Sequence, residues 1–175
     1  MPETFVIRKA TEADAPALLA IYRPYVLETA VSFEMVPPTV EEFAARIAKV
    51  LPVWQWLVAE RAGRCIGYAY GSRHRERPGY RWSVEVSAYV RPGHQRQGIG
   101  RTLYLQLFEE LTDKGFCHAY AGIALPNEAS LALHQAVGFR PIGVFPAVGR
   151  KFGRWHDVAW FHRALREGPP WEEPS

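Results

Sequence analysis

The chain is poor in sulfur, with two cysteines and two methionines in 175 residues. Cys65 and Cys117 lie far apart, each in a strand-like apolar context, which argues for buried free thiols rather than a disulfide scaffold. No apolar run approaches the roughly 20 residues a membrane helix needs, so no membrane partner is expected. Met1-Pro2-Glu3-Thr4-Phe5 lacks a charged segment followed by an apolar one, and a cytoplasmic location is the expectation. Charge is nearly balanced: a net +3 and a pI near 9.0 suit small anionic ligands but are too mild to imply nucleic acid. Six histidines are present, His74, His94, His118, His134, His156 and His162, and none forms metal-ligand spacing with another histidine, a cysteine or a carboxylate. There is no Gly-x-Ser-x-Gly elbow and no cysteine nucleophile motif, so covalent catalysis is not expected. Repeats and low-complexity segments are absent too.

What is present is the composition of an ordinary globular domain, 48% hydrophobic and 22% charged. The expectation is a single domain over 1–166, followed by a frayed Pro-rich tail over 167–175. Phe5 to Arg8 reads as a strand. Thr11 caps a helix with Glu12 and Asp14 in its first turn, and Pro24 predicts a kink or break near Leu19 to Ile21. Thr39 to Glu42 is a capping box opening a second helix. Gln55–Glu60 and Cys65–Tyr70 form a hairpin about Ala62-Gly63. Gly71 to Arg77 reads as a basic turn, and Trp82 to Val90 as the next strand. A long helix then runs to a left-handed cap at Gly115. Tyr120–Leu125 is a strand, Asn127 caps a short helix ending at Gly138, and Ile142–Val148 and Val158–Phe161 complete the sheet. The order is β-α-α-β-β-β-α-β-α-β-β, an α/β class with a central mixed sheet flanked by helices.

The segment from Val90 to Arg101 organises this pattern. It leaves a strand and enters the long helix through Gln95-Arg96-Gln97-Gly98-Ile99-Gly100-Arg101. Glycine lets the turn reach positive φ and lets a ligand approach the backbone. The free N–H groups and positive dipole end of the helix suit phosphate oxygens. A P-loop is excluded because Gly100 is followed by Arg101-Thr102, with no lysine. A dinucleotide fold is excluded because Gly115 and Gly122 stand where an acidic residue is needed.

The remaining pattern, Gln-x-x-Gly-x-Gly after a strand ending Tyr-Val, resembles the acetyl-CoA loop of the GCN5-related N-acetyltransferases (GNAT). The element order resembles that fold from about residue 5 to 165. Asn127-Glu128-Ala129-Ser130 and Leu133 to Phe139 resemble its second cofactor segment. Val31-Ser32-Phe33, Trp82 to Val90 and Lys151 to Asp157 resemble its phosphinothricin and methionine-sulfoximine N-acetyltransferase branch. The resemblance implies a mostly antiparallel, twisted GNAT sheet, an acetyl-CoA cosubstrate without a metal, and a homodimer. It places the cosubstrate on Ala88, Tyr89, Val90, Gln95 to Arg101, Asn127 and Ser130. The implied substrate is the α-amine of a small amino-acid analogue with an acidic group.

Acetyl transfer needs a neutral amine, and an alkylammonium with a pKa of about 10.4 must first lose a proton. Period-2 alternation places Glu85 with Ser83, Ser87 and Tyr89 on one strand face, opposite Val84 and Val86. Glu85 is the expected general base, and the plain alternative is a half-exposed surface carboxylate. His134 is either a general acid toward the leaving thiolate or a packing histidine. Three arginines in Arg73-His74-Arg75-Glu76-Arg77 suit bidentate recognition of an acid group, with Arg75, Glu76 and Arg77 as substrate residues and Phe33 as an apolar wall. Two other outcomes stay open: a protein N-terminal or lysine acetyltransferase of the same fold, and a non-catalytic CoA-binding module.

Overall fold

The computed structural model describes residues 4–168 and 174; the tail expected to fray lies mostly outside these. The strands are β1 (Val6–Lys9), β2 (Trp56–Arg61), β3 (Arg64–Arg73), β4 (Ser83–Val90), β5 (His118–Ala124), β6 (Arg140–Lys151) and β7 (Arg154–Ala164). The helices are α1 (Ala15–Glu28), α2 (Val40–Val50), α3 (Ile99–Asp113) and α4 (Glu128–Ala136). One seven-stranded sheet holds them in the order β1-β2-β3-β4-β5-β7-β6. Every pairing is antiparallel except β4 with β5. No helix among the described residues is long and apolar enough to cross a membrane.

Local chemistry accounts for most boundaries. Thr39 and Glu42 exchange backbone and side-chain hydrogen bonds of 3.1 and 2.8 Å at the start of α2. Ala62 and Gly63 both take positive φ, which closes the two-residue turn between β2 and β3. At the end of α3 the Phe116 N–H returns to the Leu111 carbonyl across Gly115, whose φ is +99°.

Two sequence expectations are corrected. The first helix does not break near Leu19 to Ile21 but runs unbroken through Pro24, from Ala15 to Glu28. Proline leaves the carbonyl four residues earlier, that of Ala20, without its partner, and Ala20 is exposed to water. Likewise, Gly71 to Arg73 is not turn but the end of β3. Gly71 is small because Val84 and Leu111 fill the space a Cβ would take, at 2.8 and 3.3 Å.

The side chains facing α3 include Val84 of β4, above Gly71. The other face carries Trp56, Tyr68 and Tyr70, stacked on one another and packed against Phe43 of α2, while Tyr89 meets Tyr22 and Tyr25 of α1. Tyr70 lies across from Ser87, and Ser72 across from Glu85. Glu85 therefore stands on the α1–α2 face, as alternation predicted.

Candidate active site

The parallel pairing of β4 with β5 covers only Ser83–Glu85 against His118–Tyr120. Beyond Glu85 no strand among the described residues pairs with that side of β4. The gap forms a cavity of about 60 Å³ lined by Val86, Ser87, Ala88 and Tyr89 on one side and Gly122, Ile123 and Ala124 on the other. Tyr104, Asn127, Ser130 and His134 close it from the α3–α4 face. A backbone with unpaired groups beside a slot can accept an extended, amide-bearing ligand as an added strand would be accepted. Val90, at the strand end, instead gives its carbonyl to the Tyr25 hydroxyl at 2.5 Å.

The slot leads to the start of α3. Gly98 is the N-cap residue, with φ +77°, and it supplies no side-chain oxygen to the first turn. The N–H groups that a serine or aspartate cap would occupy are left for an external acceptor. Arg96 and Arg101 are exposed on either side, and Arg96 itself has φ +61°. Gln95 and Gln97 are engaged in the fold: Gln95 accepts from the Gly93 N–H at 2.8 Å, and Gln97 accepts from Arg61 at 2.8 Å. Ile99 and Gly100 are buried. Gly100 is a packing glycine, since its Cβ would lie 3.0 Å from Leu133 Cδ2 of α4. Asn127 caps α4 by accepting the Ser130 N–H at 3.1 Å. These residues fit a thioester carrying a diphosphate, with amide partners along β4 and N–H groups at the head of α3.

On the α1–α2 face a second cavity, of about 330 Å³, is lined by Phe33, Glu85, Phe145, Val148, Val158 and Trp160. Val31, Gly122 and Ala124 line both cavities, so the two meet. Glu85 stands in the second, next to the end of the strand pairing. Burial pushes its carboxyl above the usual carboxylate range, and the nearby Arg75 cation opposes that. Arg75 lies 3.9 Å from Glu85 Oε2, donates to the His74 carbonyl at 2.8 Å, and places its guanidinium 5.8 Å from the Trp160 ring centroid. Phe33 packs over Gly149, where any Cβ would collide with its ring.

Other sequence candidates are not brought to Glu85. Glu76 pairs with Arg73 at 2.7 Å and is almost fully exposed, and Arg77 lines a separate cleft with Val53 and Tyr80. His134 is buried and committed on both nitrogens. Its Nδ1 lies 2.7 Å from the Ser130 carbonyl oxygen and its Nε2 3.1 Å from the Tyr104 hydroxyl. A carbonyl only accepts, so the ring proton sits on Nδ1 and Nε2 accepts from Tyr104. Burial also holds the His134 pKa below its usual value. Asp157 and Trp155 do not line the site. Asp157 accepts the Ala147 N–H at 2.7 Å at a bulge between β6 and β7, and Trp155 is exposed under Arg150.

Sequence reasoning missed His74, Tyr120 and Trp160. Tyr120 pairs with Glu85 on one side and His162 on the other, so it is next to Glu85 in the sheet. His74 stacks on Tyr120 with centroids 4.6 Å apart. Nothing local in the sequence marks these contacts.

A family model for the acetyltransferase (GNAT) domain matches residues 7–160. A phosphinothricin N-acetyltransferase of Streptomyces coelicolor is 39% identical, over 91% of this chain and 95% of that one. An L-methionine sulfoximine/L-methionine sulfone acetyltransferase of Salmonella typhimurium is 38% identical, over 92% and 95%. The crystal structure of a GNAT phosphinothricin acetyltransferase from Sinorhizobium meliloti, in complex with acetyl-CoA, superposes with a TM-score of 0.91. It is 37% identical and covers 98% of this chain and 94% of that one. The chain therefore belongs to the GNAT acetyltransferase family, alongside its phosphinothricin and methionine sulfoximine enzymes.

Proposed function

We propose that the protein transfers an acetyl group from acetyl-CoA to the α-amine of a small amino-acid analogue of the phosphinothricin or methionine sulfoximine type. The observation that carries this reading is the position of Glu85. It stands where the slot beside β4 meets an apolar pocket, and burial raises its proton affinity. Acetyl-CoA supplies the acetyl group as a thioester, with Ala88, Tyr89 and Val90 along its arm and the loop from Gln95 to Arg101 around its phosphates. Asn127 and Ser130 flank the arm from α4. Glu85 takes the ammonium proton, directly or through a water, so that the amine attacks as a neutral nucleophile. Arg75, beside Glu85, binds the substrate's acid group, and Phe33 walls the pocket. Tyr104 spends its hydroxyl proton on His134 Nε2, and His134 spends its own on the Ser130 carbonyl, so neither is poised to protonate the departing thiolate. A thiolate with a pKa of about 8.5 leaves without an obligatory general acid.

The edge strand β6 supports a homodimer. It carries exposed Ile142, Val144, Phe145 and Val148, and an apolar edge of this kind is covered by another chain. Phe145 and Val148 also line the substrate pocket, so a second copy would close its outer wall. Sedimentation giving one species near the chain mass of 19.9 kDa would refute the dimer.

Titration calorimetry with acetyl-CoA, followed by thiol release over candidate amines, tests the activity. Phosphinothricin, methionine sulfoximine and methionine sulfone are expected to turn over, and simple alkylamines to be poor. Arg75→Ala should raise KM for the amine, and Arg75→Lys should restore only part, because lysine lacks the bidentate fork. Equal turnover of peptide N-termini would instead assign a protein-acetylating role.

A further inference from the structure

Glu85 is the base in the reading above, and this inference rests on that assignment. We propose that His74 is a positioning residue for Glu85, its Nδ1–H orienting the carboxylate and keeping it ionised at neutral pH. His74 Nδ1 lies 3.4 Å from Glu85 Oε2. Among the described residues this nitrogen is buried and has no hydrogen-bond partner. A buried N–H left unmade is costly, and an ionised carboxylate is an acceptor only, so the tautomer that suits the site carries its proton on Nδ1. Catalytic hydrogen bonds are often long before substrate binds and shorten in the complex.

The ring has little freedom to point elsewhere. It stacks on Tyr120 of β5 at 4.6 Å and 16°, and meets Tyr80 at 6.0 Å and Trp160 of β7 at 6.3 Å, both near edge-on. The titratable and charged groups around it are Glu85 from β4, Tyr120 from β5, Tyr80 from the short turn at Pro78–Tyr80, and Arg75 from its own loop. Of these only Glu85 can accept from Nδ1 at the observed distance. Burial, helped by Arg75, holds the imidazole below its usual pKa, so it is neutral at neutral pH. A neutral donor favours the ionised carboxylate without adding a second cation to the site of an incoming ammonium.

The test is the pH dependence of kcat/KM for phosphinothricin with the whole enzyme at saturating acetyl-CoA. His74→Phe keeps an aromatic ring against Tyr120 but removes the donor, so the acid limb should move up by about one pH unit. His74→Asn, which returns an N–H near the same place, should recover part of the shift, with KM for acetyl-CoA unchanged in both. An acid limb that coincides with the wild type in His74→Phe overturns the inference. Nitrogen-15 NMR of the unmodified protein provides a check that needs no variant. A His74 signal of the Nδ1-protonated tautomer supports the assignment, and one of the Nε2-protonated tautomer refutes it. Glu85→Gln in the same assay separates the two levels. A wild-type profile there removes the base itself, whereas an inactive Glu85→Gln with an unshifted His74→Phe removes only the role of His74.

Discussion

Lys151 is a buried cation, and Lys151→Met tests what it holds. The side chain is 2% exposed at the end of β6. Its ammonium donates to the Val26 carbonyl at 2.6 Å and to the Ser32 carbonyl at 2.7 Å. Val26 is in the last turn of α1, whose carbonyls lack intrahelical partners and lie at the negative end of the helix dipole. Ser32 belongs to the loop that brings Val31 and Phe33 over the cavity that holds Glu85. The same loop is tied at Glu34, which pairs with Arg46 and accepts from Tyr22. Methionine fills a similar volume but leaves two buried carbonyls unsatisfied, at about 1–3 kcal/mol each. Sparing the desolvation of a buried ammonium offsets part of this. A net loss of about 2–4 kcal/mol is expected. At about 2–4 °C per kcal/mol for a chain of this size, Tm should fall by about 4–16 °C. Thermal unfolding measures that term. Steady-state kinetics measures the loop: KM for the amine should rise more than KM for acetyl-CoA, since Phe33 of this loop lines only the pocket while Val31 touches both cavities. A variant with the wild-type Tm and amine KM would show that the loop is set by Glu34 and Phe33 alone.

Gly98→Ala introduces a Cβ into open space at φ +77°, so it should cost about 1–2 kcal/mol of stability through backbone strain alone. Gly100→Val drives branched methyls at Leu133, already 3.0 Å from the position of a Cβ. It should lose about 1–3 kcal/mol by overpacking and raise KM for acetyl-CoA as α3 and α4 separate; if only Gly98→Ala lowers Tm, the packing role of Gly100 is wrong. Glu85→Gln should raise Tm at pH 7. The sign follows from the raised pKa of the folded carboxyl: the ionised form is disfavoured by burial, and that penalty vanishes once pH falls below the usual glutamate range, where both states are protonated. Equal Tm differences at pH 7 and pH 4 would contradict the buried, ionised state.

Features set by neighbours in the chain were legible in the sequence. The capping box at Thr39, the turn at Ala62-Gly63, the cap at Gly115 and the face of Glu85 each follow from residues a few positions apart. Features set by partners far along the chain were not. Periodicity marks β4 and β5 as strands but not that they pair in parallel, nor that pairing stops after Glu85 and Tyr120. The pocket around Glu85 draws His74, Tyr120 and Trp160 from separate segments, and only the sheet order brings them together. Gly71 was misleading for a related reason. A glycine among polar residues reads as a turn, whereas here it makes room for Val84 and for Leu111, which lies 40 residues later.

In the glycine loop the two glycines are required for different reasons. Both Gly98 and Gly100 suggest close approach of a ligand to bare backbone. Gly98 is instead required by a left-handed φ at an N-cap, which also withholds a side-chain oxygen from the helix head. Gly100 is required by Leu133 of α4. Only the first bears on anion binding through the backbone, since it leaves N–H groups free. The second fixes how closely α4 approaches α3, and α4 carries Asn127 at its cap and the Ser130–His134 contact that positions Tyr104. On the proposed placement of acetyl-CoA, the α3–α4 packing links the helix head that would face its diphosphate to the slot that would face its thioester, so a change at residue 100 should be felt at both.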